Sequence, residues 1–284
     1  MRQFSDSEQI RGPSKQNRTC YEMRANNLNA VEKVLAVLGL FDESKLEWTL
    51  TEMQKTLGMP KSSLHWITSI LVGNNYLQKD EVSRAYRPGP GLLALADACS
   101  EGYALRRVAL PFLKELSRET KGTTALRIRL GVHSVALAVV NSDEPLHVRY
   151  KPGEKLPINL GAPGKVLLAY IPLDEVIALS KKGAIKKVTL ASITDLPTLE
   201  KELRKIRIRG FAFSDGEAIS GARAVAAPIR DFTEDVVASL VLAFPAISLP
   251  RNRIPQVAGQ VIRCAGEISK ALGYRDRKSK AVPN

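Results

Sequence analysis

Residues 49–71 read TLTEMQKTLGMPKSSLHWITSIL, and this stretch decides the fold. Thr49 and Glu52 stand three apart at the head of an apolar-periodic run, which is the spacing of a reciprocal helix cap. Leu50, Met53 and Leu57 then form the buried stripe of a short helix. Gly58 follows where a helix stops in a left-handed turn. Pro60 is expected at the first position of the next helix, where its missing N–H is not needed. On a wheel of 100° per residue, Leu64, Ile67 and Leu71 fall on one side of that helix. Lys61, Ser62, His65, Trp66 and Ser69 fall on the opposite arc, with Ser63 beside them.

Outward from this pair, Asn29 caps an earlier helix running to Leu40, in which Val31, Val34, Leu35 and Leu38 recur at helical spacing. Downstream, Tyr76 to Lys79 reads as a strand, Asp80 to Ser83 as a turn and Arg84 to Arg87 as a returning strand, ended by Pro88-Gly89-Pro90. Three helices followed by a hairpin is the order of a winged helix-turn-helix, predicted over residues 26–90. In such a unit the polar arc faces base edges and phosphates. Lys61 supplies a cation, Ser62, Ser63 and Ser69 supply hydroxyls, His65 reads a base edge or a phosphate, and Trp66 offers apolar contact to a thymine methyl or a sugar. Arg84 and Arg87, with Lys79, put charge on the wing, where arginines hold the backbone or enter the minor groove. A solvated polar face and an RNA-binding winged helix are the competing readings.

The remaining chain is long enough for a second domain. Of 284 residues, 44% are hydrophobic and 25% charged, and the net charge is +13, which favours a polyanionic partner. No run of eighteen apolar residues occurs, and the first twenty residues lack the apolar stretch of a secretory signal, so a cytoplasmic protein with no membrane partner is expected. Cys20, Cys99 and Cys264 are too scattered for a disulfide framework or a zinc ribbon. Residues 1–25 are expected to be a disordered extension and 276–284 a basic tail. Residues 91–101 form a linker helix and 102–275 an effector-binding and oligomerisation domain. Gly102 to Thr120 reads as an amphipathic helix burying Leu105, Val108, Phe112, Leu113 and Leu116. Period-two runs follow at 124–130 and 134–140, with helices at 164–183, 197–209 and 252–272, and strands at 211–213, 222–229 and 236–244. This interspersion predicts an α+β sensor-like domain with a mainly antiparallel sheet.

The ordered set of motifs resembles the IclR (isocitrate lyase regulator) family of bacterial regulators. It comprises Leu50 to His65, Asn75-Tyr-Leu-Gln-Lys, Tyr86-Arg-Pro-Gly-Pro-Gly-Leu-Leu-Ala-Leu, Gly153-Glu-Lys-Leu-Pro-Ile-Asn, Gly164-Lys-Val-Leu-Leu-Ala, Arg209-Gly-Phe-Ala-Phe and Gly221-Ala-Arg-Ala-Val-Ala-Ala-Pro-Ile, covering about residues 28–273. The resemblance implies two α+β domains: the winged helix-turn-helix and a GAF/PAS-like effector-binding domain, joined by the linker helix. It also implies a homodimer or tetramer on a palindromic or paired double-stranded DNA operator, and a small-molecule effector, commonly an organic acid, that shifts DNA affinity. Carried over as effector-binding positions are Gly161, Ala162, Pro163, Asp215, Ala224, Val241 and Ala243.

The chain departs from the family at Trp66, where a basic residue is common, and at Asn159-Leu160-Gly161, where His-Ala-Thr or His-Ala-Ser is frequent. Several pocket positions that carry cysteine or hydroxyl groups in carboxylate-binding relatives are apolar here. An unmet hydrogen-bonding group costs about 1–3 kcal/mol, so the expected effector is larger or more apolar, such as an aromatic acid, its ester or thioester. Arg127 and Arg129 share a strand face, read as solvated unless it looks into the pocket. Gly161-Ala-Pro-Gly164-Lys165 fails as a phosphate-binding P-loop, because Asn159 stands at the first glycine and Val166 at the hydroxyl position. His133 and His147 lack carboxylate or cysteine partners and read as structural or surface residues. No metal or catalytic motif occurs, so no enzyme, cofactor or metal is expected. The alternatives are a ligand-independent architectural protein on the same DNA head, and a hydrolase with a DNA-binding appendage.

Overall fold

The computed structural model describes residues 29–42 and 45–275. The expected disordered extension and basic tail lie outside them. The chain divides between Ser100 and Glu101 into two compact units.

In the first unit, capping chemistry sets the helices. Helix α1 (Ala30–Leu38) opens on Asn29, whose side chain accepts from Glu32 N while Glu32 accepts from Asn29 N at 2.8 Å. Helix α2 (Leu50–Leu57) opens on the Thr49–Glu52 box. Lys45 and the Thr49 hydrogen bonds hold the Glu52 carboxyl down to about 2, and such a cap is worth about 1 kcal/mol. Gly58 closes α2 at φ 66°, the left-handed region where a side chain is disfavoured. Helix α3 (Lys61–Gly73) starts one residue later than expected. Pro60, with ψ 140°, is still extended and serves as the cap residue instead of the first helical position.

Met53, Leu57, Leu64, Ile67 and Leu71 form the core with Trp48, Leu77 and Tyr86. On α1 the buried residues are Ala36 and Val37, while Val31 and Leu35 are exposed. The wing consists of β1 (Leu77–Lys79) and β2 (Tyr86–Pro88), paired antiparallel. The returning strand begins later than expected because Arg84, at φ 58°, belongs to the turn. Trp48 adds a bridge to Tyr86, through which the chain before α2 joins the wing.

Helix α4 (Gly91–Gly102) follows the wing, and α5 (Ala104–Thr120) begins the second unit's architecture. A six-stranded antiparallel sheet has the order β5-β4-β3-β8-β7-β6. Its strands are β3 (Thr123–Leu130), β4 (His133–Val140), β5 (Lys155–Pro157), β6 (Ala212–Asp215), β7 (Ala222–Arg230) and β8 (Val236–Pro245). One face carries Ala125, Ala224, Ala226, Val241 and Ala243 against α6 (Gly161–Ala169), α7 (Leu173–Lys181) and α8 (Leu196–Arg209). The other face carries Leu126, Val225, Leu240 and Leu242 against α5 and α9 (Ile254–Ala271).

The single helix expected over 164–183 is two helices. Pro172 disfavours helical backbone at Ile171 and itself stands as the cap residue of α7. Edge strand β5 has three residues and ends in proline, too short a run for periodicity to reveal.

The solvated reading of Arg127 is overturned. A register shift follows Leu126, and the Arg127 side chain is fully buried. Its Nε donates to Ser134 Oγ at 2.8 Å, its Nη2 to the Ser134 and Glu154 carbonyls, and its Nη1 to Glu154 Oε2 at 3.3 Å. Arg129 pairs with Glu175. Arg127 thus clamps the loop before β5 onto β3, a structural task.

Candidate nucleic-acid interface and effector site

Helix α3 turns Leu64, Ile67 and Leu71 into the core, which forces the opposite arc outward. Lys61, Ser62, His65, Trp66 and Ser69 are all exposed, and Ser63 is half-buried. Thr68 is buried and returns its hydroxyl to His65 O at 3.1 Å. No side chain caps the start of α3, so its first N–H groups can point at an anion.

Trp66 is 57% exposed and lines a shallow depression of about 430 Å³ with Ala30, Lys33, Ser62, Ser63 and Ile67. It therefore sits at the α1 edge of the arc, with Lys33 and Ala30 beside the rest of its ring. The wing turn is built on Asp80, whose Oδ1 accepts from Val82 N, Ser83 N and Ser83 Oγ. These bonds, those from Ser83 foremost, hold its carboxyl below the usual range. Arg84 pairs with Glu81 at 3.2 Å, both largely exposed, and Arg87 Nε donates to Gln78 Oε1 at 3.2 Å. Exposed pairs of this kind contribute little, so neither arginine is withheld from a phosphate.

The second site is organised by sheet register. Ser214 pairs with Ala224, Ala224 with Ala243, and Ala243 with Thr123. Paired residues share a face, so these four form one row beneath α6. A second row contains Ala212, Ala226, Val241 and Ala125. The start of α6 is fully buried and lacks a side-chain cap. A Cβ on Gly161 would lie 3.4 Å from Ala218 Cβ and 3.9 Å from Ser214 Oγ. Gly161, Ala162, Pro163, Ala224, Val241 and Ala243 are thus on one side of the sheet.

Asp215 is not brought to them. It pairs with Arg223, one residue out of phase, and faces the α9 side. There its carboxylate meets Arg223 Nε at 3.1 Å and Arg251 Nη2 at 3.0 Å. Ser214 occupies the inward place. The alternation Ala212-Phe213-Ser214-Asp215, with Ala212 in the core under α6, is the signal that identifies it.

Four residues outside the expected effector-binding positions frame the site: Asn159, Thr189, Ser192 and Lys165. Asn159 donates to the Lys186 and Ile193 carbonyls at 2.9 and 3.0 Å and accepts from Lys186 N, clipping the segment 186–193 beside α6. Thr189 and Ser192 donate to the Gly216 and Glu217 carbonyls. Lys165, from the failed P-loop pattern, turns inward: its Nζ donates to Phe213 O at 2.7 Å and Glu217 Oε1 at 2.6 Å. Burial pushes the Glu217 carboxyl up, while Lys165 pulls it back. His147 is half-buried with Nδ1 2.6 Å from Glu144 O, and burial lowers the His133 pKa. Among the described residues no helix is long and apolar enough to cross a membrane.

Comparison with known proteins matches the IclR helix-turn-helix domain over residues 30–81 and the C-terminal domain of bacterial IclR transcriptional regulators over residues 99–270. The transcriptional regulator XynR of Escherichia coli is 28% identical, across 87% of this chain and 98% of that protein. The crystal structure of a transcriptional regulator from Rhodococcus sp. RHA1 superposes with a TM-score of 0.77 at 25% identity, covering 87% of this chain and 98% of that one. An IclR homologue from Microbacterium hydrocarbonoxydans, solved in complex with 4-hydroxybenzoate, gives a TM-score of 0.75 at 22% identity, covering 86% and 99%.

Proposed function

This chain belongs to the IclR family of bacterial transcriptional regulators, and from that premise we propose that it reads an operator through α3 and changes its affinity when the second unit takes up an organic acid or a close derivative. The observation that carries the DNA reading is the exposed arc of Lys61, Ser62, His65, Trp66 and Ser69 on a helix whose other side is buried. Ser63 and the N-terminal N–H groups address phosphate, and Arg84 in the wing turn and Arg87 on β2 hold the backbone.

The effector reading rests on the uncapped start of α6 above a row of small side chains. Helix N–H groups favour an anionic or acceptor head. Ser214 adds a hydroxyl, while Ala224, Val241 and Ala243 offer only apolar surface. That balance suits a carboxylate with an aromatic body better than a two- or three-carbon oxoacid. The 4-hydroxybenzoate complex of a homologue points the same way. A thermal-shift series tests it: 4-hydroxybenzoate or a related aromatic acid is expected to raise the melting temperature by several degrees. A rise with small oxoacids alone contradicts the assignment.

Assembly into a dimer is assigned to α4. Its sequence is largely apolar, yet Leu93 is 72% and Leu95 54% exposed. Exposed leucines on one helix are the kind of surface a second copy covers. Leu93→Ser with Leu95→Ser is expected to yield monomer by light scattering and to weaken operator binding by at least tenfold, because a half-site alone lacks the paired contact. A variant that remains dimeric removes α4 from the interface.

A further inference from the structure

We propose that the second unit carries a phosphate-binding track of its own, formed by the segment 181–187 and the outer face of α8, which engages the backbone of duplex DNA without reading its sequence. The proposal rests on the reading of the chain as an operator-binding protein and adds to it a contact outside the winged helix. The net charge of +13 is unevenly placed. Residues 1–100, which include the winged helix, carry 12 Lys and Arg against 11 Asp and Glu, a net of +1. Residues 101–284 carry 30 against 18, a net of +12. The charge that attracts a polyanion therefore lies almost wholly in the second unit.

Within that unit the cations are gathered. Residues 176–194 hold four lysines and no carboxylate. Lys181, Lys182, Lys186 and Lys187 are all exposed. Between the two pairs, buried Ala184 and half-buried Ile185 pack into the apolar cluster that α8 also enters. Asn159 accepts from Lys186 N at 3.0 Å and donates to Lys186 O at 2.9 Å, so the backbone that presents the second pair is fixed. On α8, Leu199, Leu203 and Ile206 face the same cluster, which turns Lys201, Arg204 and Lys205 outward.

The carboxylates of α8 leave this face positive. Glu202 is turned inward, to Arg209 at 2.7 Å and Lys165 at 3.6 Å, and Glu200 comes only within 3.9 Å of Arg204. Lys181 and Arg207 stand in last helical turns, where a cation complements the helix dipole. The other cations of the track have no such task. All but Arg204 are lysines, compact point charges that suit phosphates. Helix α3 brings the chain to a duplex, which raises the local concentration of phosphate around the second unit and favours DNA over other polyanions.

Fluorescence anisotropy of the full chain on its upstream site and on a scrambled duplex, between about 50 and 200 mM salt, tests this. One variant replaces Lys182, Lys186 and Lys187 by glutamine, and a second replaces Lys201, Arg204 and Lys205. At an unchanged melting temperature, each is expected to make the slope of log affinity against log salt shallower by about 2–3, since a lost phosphate contact removes roughly one counterion. Each is also expected to weaken both duplexes by a similar factor, roughly tenfold or more at about 100 mM salt, with the preference between them unchanged. Arginine at the same lysine positions is expected to keep the wild-type slope. Lys61→Ala with His65→Ala is expected to do the reverse, lowering the preference and changing the slope by about 1 at most. Loss of preference there bears on α3 alone, and the slopes of the glutamine variants bear on the track alone. Glutamine variants with the wild-type slope, or a wild type that binds vesicles of anionic lipid or an RNA hairpin more tightly than the scrambled duplex, overturn the proposal.

Discussion

Replacement of Lys165 by methionine is expected to cost the second unit about 3–5 kcal/mol, the usual penalty for removing one partner of a buried ion pair. Lys165 is the link between α6 and the β6–β7 loop. Its Nζ bonds Phe213 O and Glu217 Oε1, with Glu202 at 3.6 Å. Glu217 Oε2 is buried without a hydrogen-bond partner, so the carboxyl depends on Lys165 for its compensation. The loss should be pH-dependent with a definite sign. Burial already raises the Glu217 pKa, and without the ammonium it rises further. The folded state then holds a proton that the unfolded state releases above its ordinary carboxylate pKa. Stability of the variant therefore falls as pH rises from about 5 toward neutrality and is recovered on acidification. Denaturant midpoints at pH 5 and 8 measure it, and a variant less stable at pH 5 than at pH 8 contradicts this account of the pair.

Gly164→Ala is expected to destabilise the second unit by about 3 kcal/mol or more, read as a loss of the cooperative transition at the wild-type temperature. The added Cβ would lie 2.3 Å from Ile158 O, a backbone atom that no rotamer can move. Helix α6 would be pushed off the turn that precedes it, and with it the start of the proposed effector site. Gly266→Ala in α9 is the control of opposite sign. Its Cβ meets nothing within 4 Å, so a helical glycine is replaced by a better helix former, with a gain of up to about 1 kcal/mol. Equal losses at the two positions would mean that the close approach at Gly164 is not what matters.

What the sequence made legible was local chemistry. The Asn29 and Thr49 caps, the Gly58 stop and the alternation of β4 depend on residues a few positions apart, and each lies where expected. The core stripe and exposed arc of α3 follow from helical periodicity, and they are the same residues in the structure. The IclR family assignment also held.

What was illegible depends on distant partners or on phase. Arg127 is buried because Glu154, 27 residues on, meets it; no local pattern distinguishes it from the more exposed Arg129. Lys165 and Glu217 are 52 residues apart. A one-residue phase on β6 separates Ser214, under α6, from Asp215, held by two arginines on the other side. Motif order placed the strand but not its face.

The central claim is that the arc of α3 selects the operator. Its most direct measurement is fluorescence anisotropy of the full chain on its footprinted upstream site and on a scrambled duplex of equal length, at one fixed salt concentration. Wild type is expected to prefer the site by roughly 1,000-fold or more. Lys61→Ala with His65→Ala, at an unchanged melting temperature, is expected to lose about 1–3 kcal/mol for each base contact removed, with most of the loss on the site and little on the scrambled duplex. A folded double variant that keeps wild-type affinity and preference would contradict the account.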